Sequence, residues 1–168
     1  EMRPGCFDID ARIRDMDING IWASVNFPSQ ITGFCGSVFS RCSDPDLGLA
    51  VTRAWNDWFY DEWYTPYPDR IVPMGITYLA DAGLAAEEIR RNAERGFTAV
   101  TLPEMPHRIG MEPIFSSWWE PIISACAETG TVICLHVGST GVADMPKGAP
   151  AVALGATLFG QLSLSACA

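Results

Sequence analysis

The chain has 168 residues, enough to bury a substantial core, and its 48% hydrophobic content is typical of a globular domain. Twenty acidic residues outnumber eleven basic ones and give a net charge of −9. Since nucleic-acid and anionic-membrane surfaces require clustered positive charge, this balance argues against both kinds of partner.

The six cysteines form no C-x-x-C pair, and no signal-peptide pattern is visible, so we expect free thiols in a reducing cytoplasm. The uncharged segment 148–168 is too rich in Gly, Ser and Pro to predict a membrane-spanning helix. We predict instead that a buried amphipathic helix runs from about Ala151 to the end of the sequence.

The first elements are a helix, a strand and a loop. Asp10 is the expected cap of a helix over residues 11–18, and Asn19-Gly20 should end it. Residues 21–25 predict a short apolar strand. Residues 26–43 contain Pro, Gly and Ser, which indicate a long loop.

The second helix should begin at Asp44-Pro45, because Asp accepts hydrogen bonds from the first turn and Pro needs no partner there. It should reach about Tyr60. Apolar residues at helical spacing predict its buried face: Leu47, Val51, Ala54 and Trp58. We interpret the aromatic run over residues 55–63 as helix packing, with a substrate-binding role as the alternative.

The third strand–helix unit begins with a strand at residues 71–76, which Pro73 should weaken. The next helix should end at Gly96. Its predicted buried face consists of Ala85, Ile89 and Ala93. A third strand then covers residues 97–102.

The last predicted unit starts with Ser117-x-x-Glu120, which has the pattern of a capping box. The helix behind it should bury Trp119, Ile122, Ile123 and Cys126. The apolar run at 131–135 is typical of a strand buried on both faces, and His136 stands at its end.

Four strands alternating with helices predict an α/β fold with a parallel sheet and a single domain over residues 1–168. Either a half-length barrel or an open doubly wound sheet would fit this order. The sequence lacks the G-x-G-x-x-G and P-loop motifs that would indicate nucleotide binding.

Parallel α/β folds place their active sites at the carboxyl ends of strands. That rule selects Ser24 and Asn26 as candidate pocket residues, followed by Thr77, and Glu104 as a candidate general acid or base. A solvent-facing carboxylate is the alternative for Glu104. His107, in a proline-flanked loop, is a candidate for the pocket rim.

His136 is the candidate metal ligand. An imidazole at the end of a buried strand needs partners for its nitrogens, and a metal ion can be one of them. A hydrogen-bonded core histidine is the alternative. A catalytic metal requires about three protein ligands, whereas this sequence has two histidines and no H-x-H. Cys35 and Cys42 match no standard metal-site spacing.

Three stretches resemble the amidohydrolase-2 family, the group of aminocarboxymuconate-semialdehyde decarboxylase. They are Arg12-x-x-Asp15-Met16-Asp17-x-x-Gly20-Ile21-Trp22-Ala23-Ser24-Val25, then Arg70-Ile71-Val72-Pro73 with Glu88-Ile89-Arg90-Arg91-Asn92 and Gly96-Phe97-x-Ala99-Val100, and finally Glu128-Thr129-Gly130-Thr131-Val132-Ile133-Cys134-Leu135-His136-Val137-Gly138-Ser139. Together they extend over most of residues 1–165.

The resemblance implies a partial TIM-type (β/α)₈ barrel, with about strands 2–5 and their helices. It also implies a mononuclear divalent metal, usually zinc, with His136 as the ligand at the end of strand 5. The family's metal-binding motif on strand 1, histidine on strand 6 and aspartate on strand 8 have no counterpart here. We therefore expect the chain to begin between strands 1 and 2 and to stop in the helix after strand 5.

Two functional hypotheses follow. In the first, the chain is part of a metal-dependent hydrolase or decarboxylase that acts on a small carboxylic-acid-type substrate. The chain alone would then be inactive, and a homo-oligomer is expected. In the second, it is a truncated, non-catalytic barrel fragment that self-associates through its open edges and binds no stoichiometric metal.

Overall fold

The parallel sheet is interrupted at one proline. In the computed structural model, which describes residues 2–29, 31–136, 138–139 and 159–160, the strands are β1 (Ser24–Val25), β2 (Ile71–Val72), β3 (Met74–Gly75), β4 (Ala99–Pro103) and β5 (Val132–His136). β1 pairs with β2, and β3, β4 and β5 pair in that order, always in parallel. Pro73, which has no N–H to donate to a ladder, separates β2 from β3. The four predicted strands and the parallel sheet are confirmed.

Within the described ranges, five α-helices connect or flank these strands. They are α1 (Ile9–Ile18), α2 (Ser37–Ser40), α3 (Pro45–Trp58), α4 (Ala82–Glu94) and α5 (Glu120–Thr129). Helix α3 continues into a π-helical turn at Phe59–Tyr64. The helix predicted from Ala151 onward lies outside the described residues except at 159–160. None of the helices in the described ranges is long and apolar enough to cross a membrane.

The start of helix α1 differs from the prediction by one cap residue. Asp8, and not Asp10, caps the helix, because its side chain accepts a 2.7 Å hydrogen bond from the Ala11 backbone N–H. The predicted end at Asn19-Gly20 is confirmed, with Gly20 at a φ of +68°. Helix α2 lies within the predicted loop 26–43, which is therefore partly helical.

Helix α3 starts at the predicted Asp44 cap but buries a different face. Leu47 and Trp58, expected in the core, are 52% and 42% exposed. The buried positions are Gly48, Thr52 and Asn56. Close packing is the reason at the first turn, since a Cβ atom at Gly48 would lie only 2.7 Å from the Phe39 carbonyl oxygen. Because helix α3 approaches the Phe39 backbone so closely here, a residue without a large side chain occupies the buried position.

The main hydrophobic core lies between helices α4 and α5 and strand β4. Its fully buried members include Trp119, Ile122, Leu102 and Ile89. The predicted capping box at Ser117 is wrong, because Ser116 caps a short 3₁₀ turn that precedes α5 and accepts from the Trp118 N–H. Ile123, expected in the core, is exposed.

Strand β5 is not buried on both faces as predicted. Val132 is 61% exposed, and Ile133 is exposed as well. Among the described residues β5 pairs only with β4 and forms an edge of the sheet. An edge strand lacks a neighbour on one side, so its first residues remain accessible although the sequence pattern is that of a central strand.

Candidate functional site

The carboxyl ends of β4 and β5 lie side by side, because Pro103 is the register partner of His136. Glu104 follows directly and is buried, with 1% of its surface exposed, so the solvent-facing alternative is wrong. The Gly138 backbone N–H donates to Glu104 Oε1 at 3.0 Å, and the Ser139 hydroxyl donates a short hydrogen bond to Oε2. Glu104 therefore holds the segment after β5 against the end of β4.

The imidazole of His136 lies between two phenyl rings. Phe34 stacks on it at a centroid distance of 4.7 Å and an interplanar angle of 18°, and Phe27 contacts it edge-on at 4.9 Å and 71°. These are favourable aromatic arrangements. Because the imidazole nitrogens bond within the ring plane, stacking fixes the direction of that plane without using either nitrogen.

Phe34 reaches this position through an unusual backbone. Its φ is +59°, and no other non-glycine residue in the described ranges has a positive φ. Phe34 lies between Gly33 and Gly36, whose φ angles are +78° and +84°. The left-handed region costs a residue with a Cβ atom roughly 1–2 kcal/mol. The Cys35 N–H donates to the Gly33 carbonyl at 2.7 Å and stabilises the turn.

Cys35, next to this phenylalanine, is fully buried. Burial raises the pKa of its thiol to about 11; hydrogen bonds from Ser37 lower it in part, and the nearby charge of Glu104 raises it further. The thiol is therefore protonated at neutral pH, whereas a metal ligand or nucleophile must be a thiolate. The buried, protonated thiol is a poor nucleophile, and the place of Cys35 outside any metal site stays a prediction.

The pocket candidates at the end of β1 form a local pair. The Ser24 hydroxyl donates to Asn26 Oδ1 at 2.7 Å, and both residues are half-buried. Thr77, after β3, is fully buried, and its hydroxyl has no hydrogen-bond partner in the part of the chain that the structure describes. His107 is exposed on the 3₁₀ turn Pro106–Ile109, and its place at the pocket rim stays a prediction.

The sequence indicates Glu104 and His136 but not the groups that hold them. Phe27 and Phe34 belong to no motif and no periodic pattern, and Ser139 closes the third family-like stretch without a predicted role. The spacing of Gly33 and Gly36 was the one available signal, since glycines at short intervals indicate positive φ in a tight turn.

The described donors do not fit a complete metal centre. No group of three or more His, Cys, Asp or Glu side chains that could hold a metal occurs among the described residues. Both Glu104 oxygens accept hydrogen bonds from the segment after β5, and the Cys35 thiol is neutral. His136 thus remains the candidate ligand at the strand ends, and its metal-binding role stays a prediction.

The comparisons with known proteins agree with this geometry. The sequence model of the amidohydrolase family matches residues 1–165. The fold is similar to that of an amidohydrolase from Mycobacterium avium subsp. paratuberculosis K-10, with a TM-score of 0.66 and 25% identity over 82% of this chain and 36% of that one. No curated protein sequence matches the chain.

Two decarboxylases are also similar in fold. For 2,6-dihydroxybenzoate decarboxylase from Rhizobium the TM-score is 0.64 with 18% identity, over 94% of this chain and 49% of the other. For 5-carboxyvanillate decarboxylase from Sphingomonas paucimobilis the values are 0.54 and 17%, over 74% and 34%. The chain thus spans about a third to a half of these structures, which confirms the predicted partial barrel.

Proposed function

Because the chain belongs to the amidohydrolase family, we propose that it supplies part of the catalytic barrel of a metal-dependent hydrolase or decarboxylase. The substrate class that we propose is a small carboxylic acid. The observation that carries the proposal is the position of His136 at the carboxyl end of β5, beside the buried Glu104. Barrel enzymes place their active-site residues at this end of the strands.

His136 is the proposed ligand of a divalent metal, and zinc is the metal that we favour because imidazole suits it. When bound, such a metal polarises a substrate oxygen or lowers the pKa of a water molecule. The remaining ligands would come from residues outside the described ranges. The names of the two decarboxylases of similar fold favour decarboxylation over hydrolysis within this proposal.

The chain's own residues would then have distinct tasks. Phe34 and Phe27 orient the imidazole of His136, and Glu104 holds Gly138 and Ser139 beside it. We also keep Glu104 as a proposed general acid or base, since its carboxylate lies at the strand ends. Ser24, Asn26 and His107 are proposed to contact the substrate.

The two histidines of the chain make the metal assignment testable by NMR of the imidazole groups. Zinc added to the metal-free protein should shift the His136 signals at lower concentration than those of the exposed His107. Elemental analysis of protein equilibrated with zinc and then dialysed should give more metal per chain for the wild type and for His107→Ala, the matched control, than for His136→Ala.

Equal metal content in the wild type and in His136→Ala would contradict the assignment, and so would a zinc titration that leaves the His136 signals in place. The catalytic part of the proposal concerns the complete barrel, in which turnover of a benzoate-type acid should be lost with chelator and restored by zinc.

The non-catalytic alternative is favoured by the exposed apolar residues at the two sheet edges. Trp22, before β1, is 80% exposed, and Val25 and Val132 are exposed as well. Such edges promote pairing between chains. Sedimentation over a concentration series distinguishes the two functions: the alternative predicts a concentration-dependent oligomer without metal, which Val132→Lys should weaken.

A further inference from the structure

A cleft with a volume of about 160 Å³ lies between helix α1, the end of α3 and the segment that follows β1. Five of its eleven lining residues are aromatic: Phe27, Trp55, Trp58, Phe59 and Trp63. Neither His136 nor Glu104 lines the cleft. Of the residues to which the proposed function assigns a substrate contact, Asn26 lines the cleft, and Ser24 and His107 do not.

Two polar groups in this apolar cleft have no hydrogen-bond partner among the described residues. They are the Nε–H of Arg12 and the Nδ2 amide of Asn26, both buried atoms. Among the described residues, Arg12 is also the one charged side chain that lines the cleft. Buried N–H groups without an acceptor are rare in proteins, because each loses its hydrogen bonds to water.

The acidic residues at helix α1 have other partners. Asp8 caps the helix by accepting from the Ala11 N–H, and Asp10 accepts from the Tyr67 hydroxyl at 2.7 Å. Asp15 forms an ion pair with Arg3 at 3.4 Å, and Asp17 forms one with Arg70 at 2.5 Å. Within the described ranges, Arg12 thus lines the cleft with a buried Nε–H that none of these carboxylates accepts from.

From these observations we propose that the cleft binds a small aromatic carboxylate. Arg12 Nε and Asn26 Nδ2 are donors only, so the ligand must offer acceptors, and the guanidinium favours an anion. An apolar cavity of roughly 150 Å³ holds one benzene molecule. The ring of the ligand lies among the indole and phenyl rings, with its carboxylate directed to Arg12 and Asn26.

Binding at this cleft requires neither metal nor His136. Phe27 connects the two regions, since its ring lines the cleft and contacts the imidazole of His136 edge-on at 4.9 Å. The cleft proposal and the metal proposal can therefore fail separately.

Benzoate is the probe, added to metal-free protein while the indole N–H signals of the tryptophans are recorded by NMR. We expect saturable shifts of Trp55, Trp58 and Trp63, with a dissociation constant on the order of 1 mM. The signals of Trp118 and Trp119, which do not line the cleft, should stay unchanged. The same binding should occur in His136→Ala.

Arg12→Gln should weaken benzoate binding about tenfold or more, since a hydrogen bond to a charged group is lost. Arg14→Gln is the matched control, because Arg14 is an exposed residue of the same helix and does not line the cleft. Asn26→Asp keeps the side-chain shape and adds a negative charge, so it should weaken binding even if Arg12→Gln folds poorly.

Benzamide, which has the same ring without the charge, should bind at least tenfold more weakly than benzoate. Equal binding of benzamide, equal losses in Arg12→Gln and Arg14→Gln, or shifts that do not saturate would each overturn the proposal.

Discussion

Two buried glutamates, Glu88 and Glu104, show how differently this chain uses the same side chain. Both are at most 1% exposed. Glu88, on helix α4, accepts from the Asn56 amide at 2.8 Å and from the Nε and Nη2 groups of the Arg91 guanidinium. Glu104, after β4, is held by a backbone N–H and a hydroxyl of the segment after β5.

The partners of Glu88 make it a structural residue. Asn56 donates to the Ile76 carbonyl at 2.9 Å and accepts from the Ile76 N–H at 3.0 Å, so it pairs with the backbone just beyond β3. Glu88 neutralises Arg91 behind that strand, and its hydrogen bonds raise the pKa of the guanidinium. Burial of a carboxylate therefore does not indicate function; its position relative to the strand ends and the nature of its partners do.

The largest expected effect separates these two carboxylates. Glu88→Gln should lower the free energy of unfolding by about 3 kcal/mol, because it breaks a buried charged hydrogen-bond network. Breaking a buried ion pair typically costs about 3–5 kcal/mol, and the partial exposure of Arg91 places the expected loss at the lower end. Glu104→Gln should cost less, about 2 kcal/mol, since the described donors to its carboxylate are a backbone N–H and a hydroxyl and not a guanidinium. Urea denaturation measures both.

Glu87→Gln is the control for this pair, because Glu87 lies on the same helix and is exposed, so its replacement should change stability by less than about 0.5 kcal/mol. If Glu104→Gln and Glu88→Gln lowered the free energy of unfolding equally, the proposed difference between the two carboxylates would be contradicted.

The next effect concerns the thiol beside Glu104. The pKa of Cys35 rises from 9.0 to about 11 on folding. The protonated thiol therefore makes its full contribution to the free energy of unfolding below pH 9. This contribution is lost between about pH 9 and 11, where the unfolded state releases its proton first, and the expected loss is about 2–3 kcal/mol. Urea denaturation at several pH values should show a smaller fall in Cys35→Ala.

The same thiol reports on the two glutamates. Glu104→Gln should lower the pKa of Cys35, because the charge of Glu104 contributes to raising it, whereas Glu88→Gln should leave it unchanged. The pH dependence of Cys35 alkylation measures this pKa. An identical alkylation profile in both variants would contradict the proximity of Glu104 to the thiol.

Local signals explain which parts of the fold could be predicted. The Asp44-Pro45 start of α3 and the glycine after α1 depend on a few adjacent residues, and both are confirmed. The buried face of α3 could not be predicted, because Asn56 is buried by its hydrogen bonds to Ile76, twenty positions away. Periodicity counts apolar residues and cannot register such a polar contact.

The candidate site was predictable in position but not in contacts. Strand ends indicated Glu104 and His136, and the register of β4 and β5 places them at adjacent positions. The exposure of Val132 could not be foreseen, since an apolar run predicts burial only where neighbouring strands exist on both sides. Phe34 was missed because its contact with His136 joins positions about a hundred residues apart.

The smallest expected effect concerns the phenylalanine that stacks on His136. At the φ of +59° of Phe34, glycine lacks the steric cost that alanine has, so Phe34→Gly should be more stable than Phe34→Ala by about 1 kcal/mol. Both variants lose the stacking, so the His136 imidazole signals should move in both. Phe115→Ala is the matched control, because Phe115 is exposed and its replacement should leave those signals in place.

Equal stability of the glycine and alanine variants would show that the left-handed conformation of Phe34 carries no strain, and unmoved His136 signals would show that the stacking does not set the imidazole orientation. Because neither substitution touches Glu88 or its partners, any large loss of stability would mean that the strand-end region also supports the core.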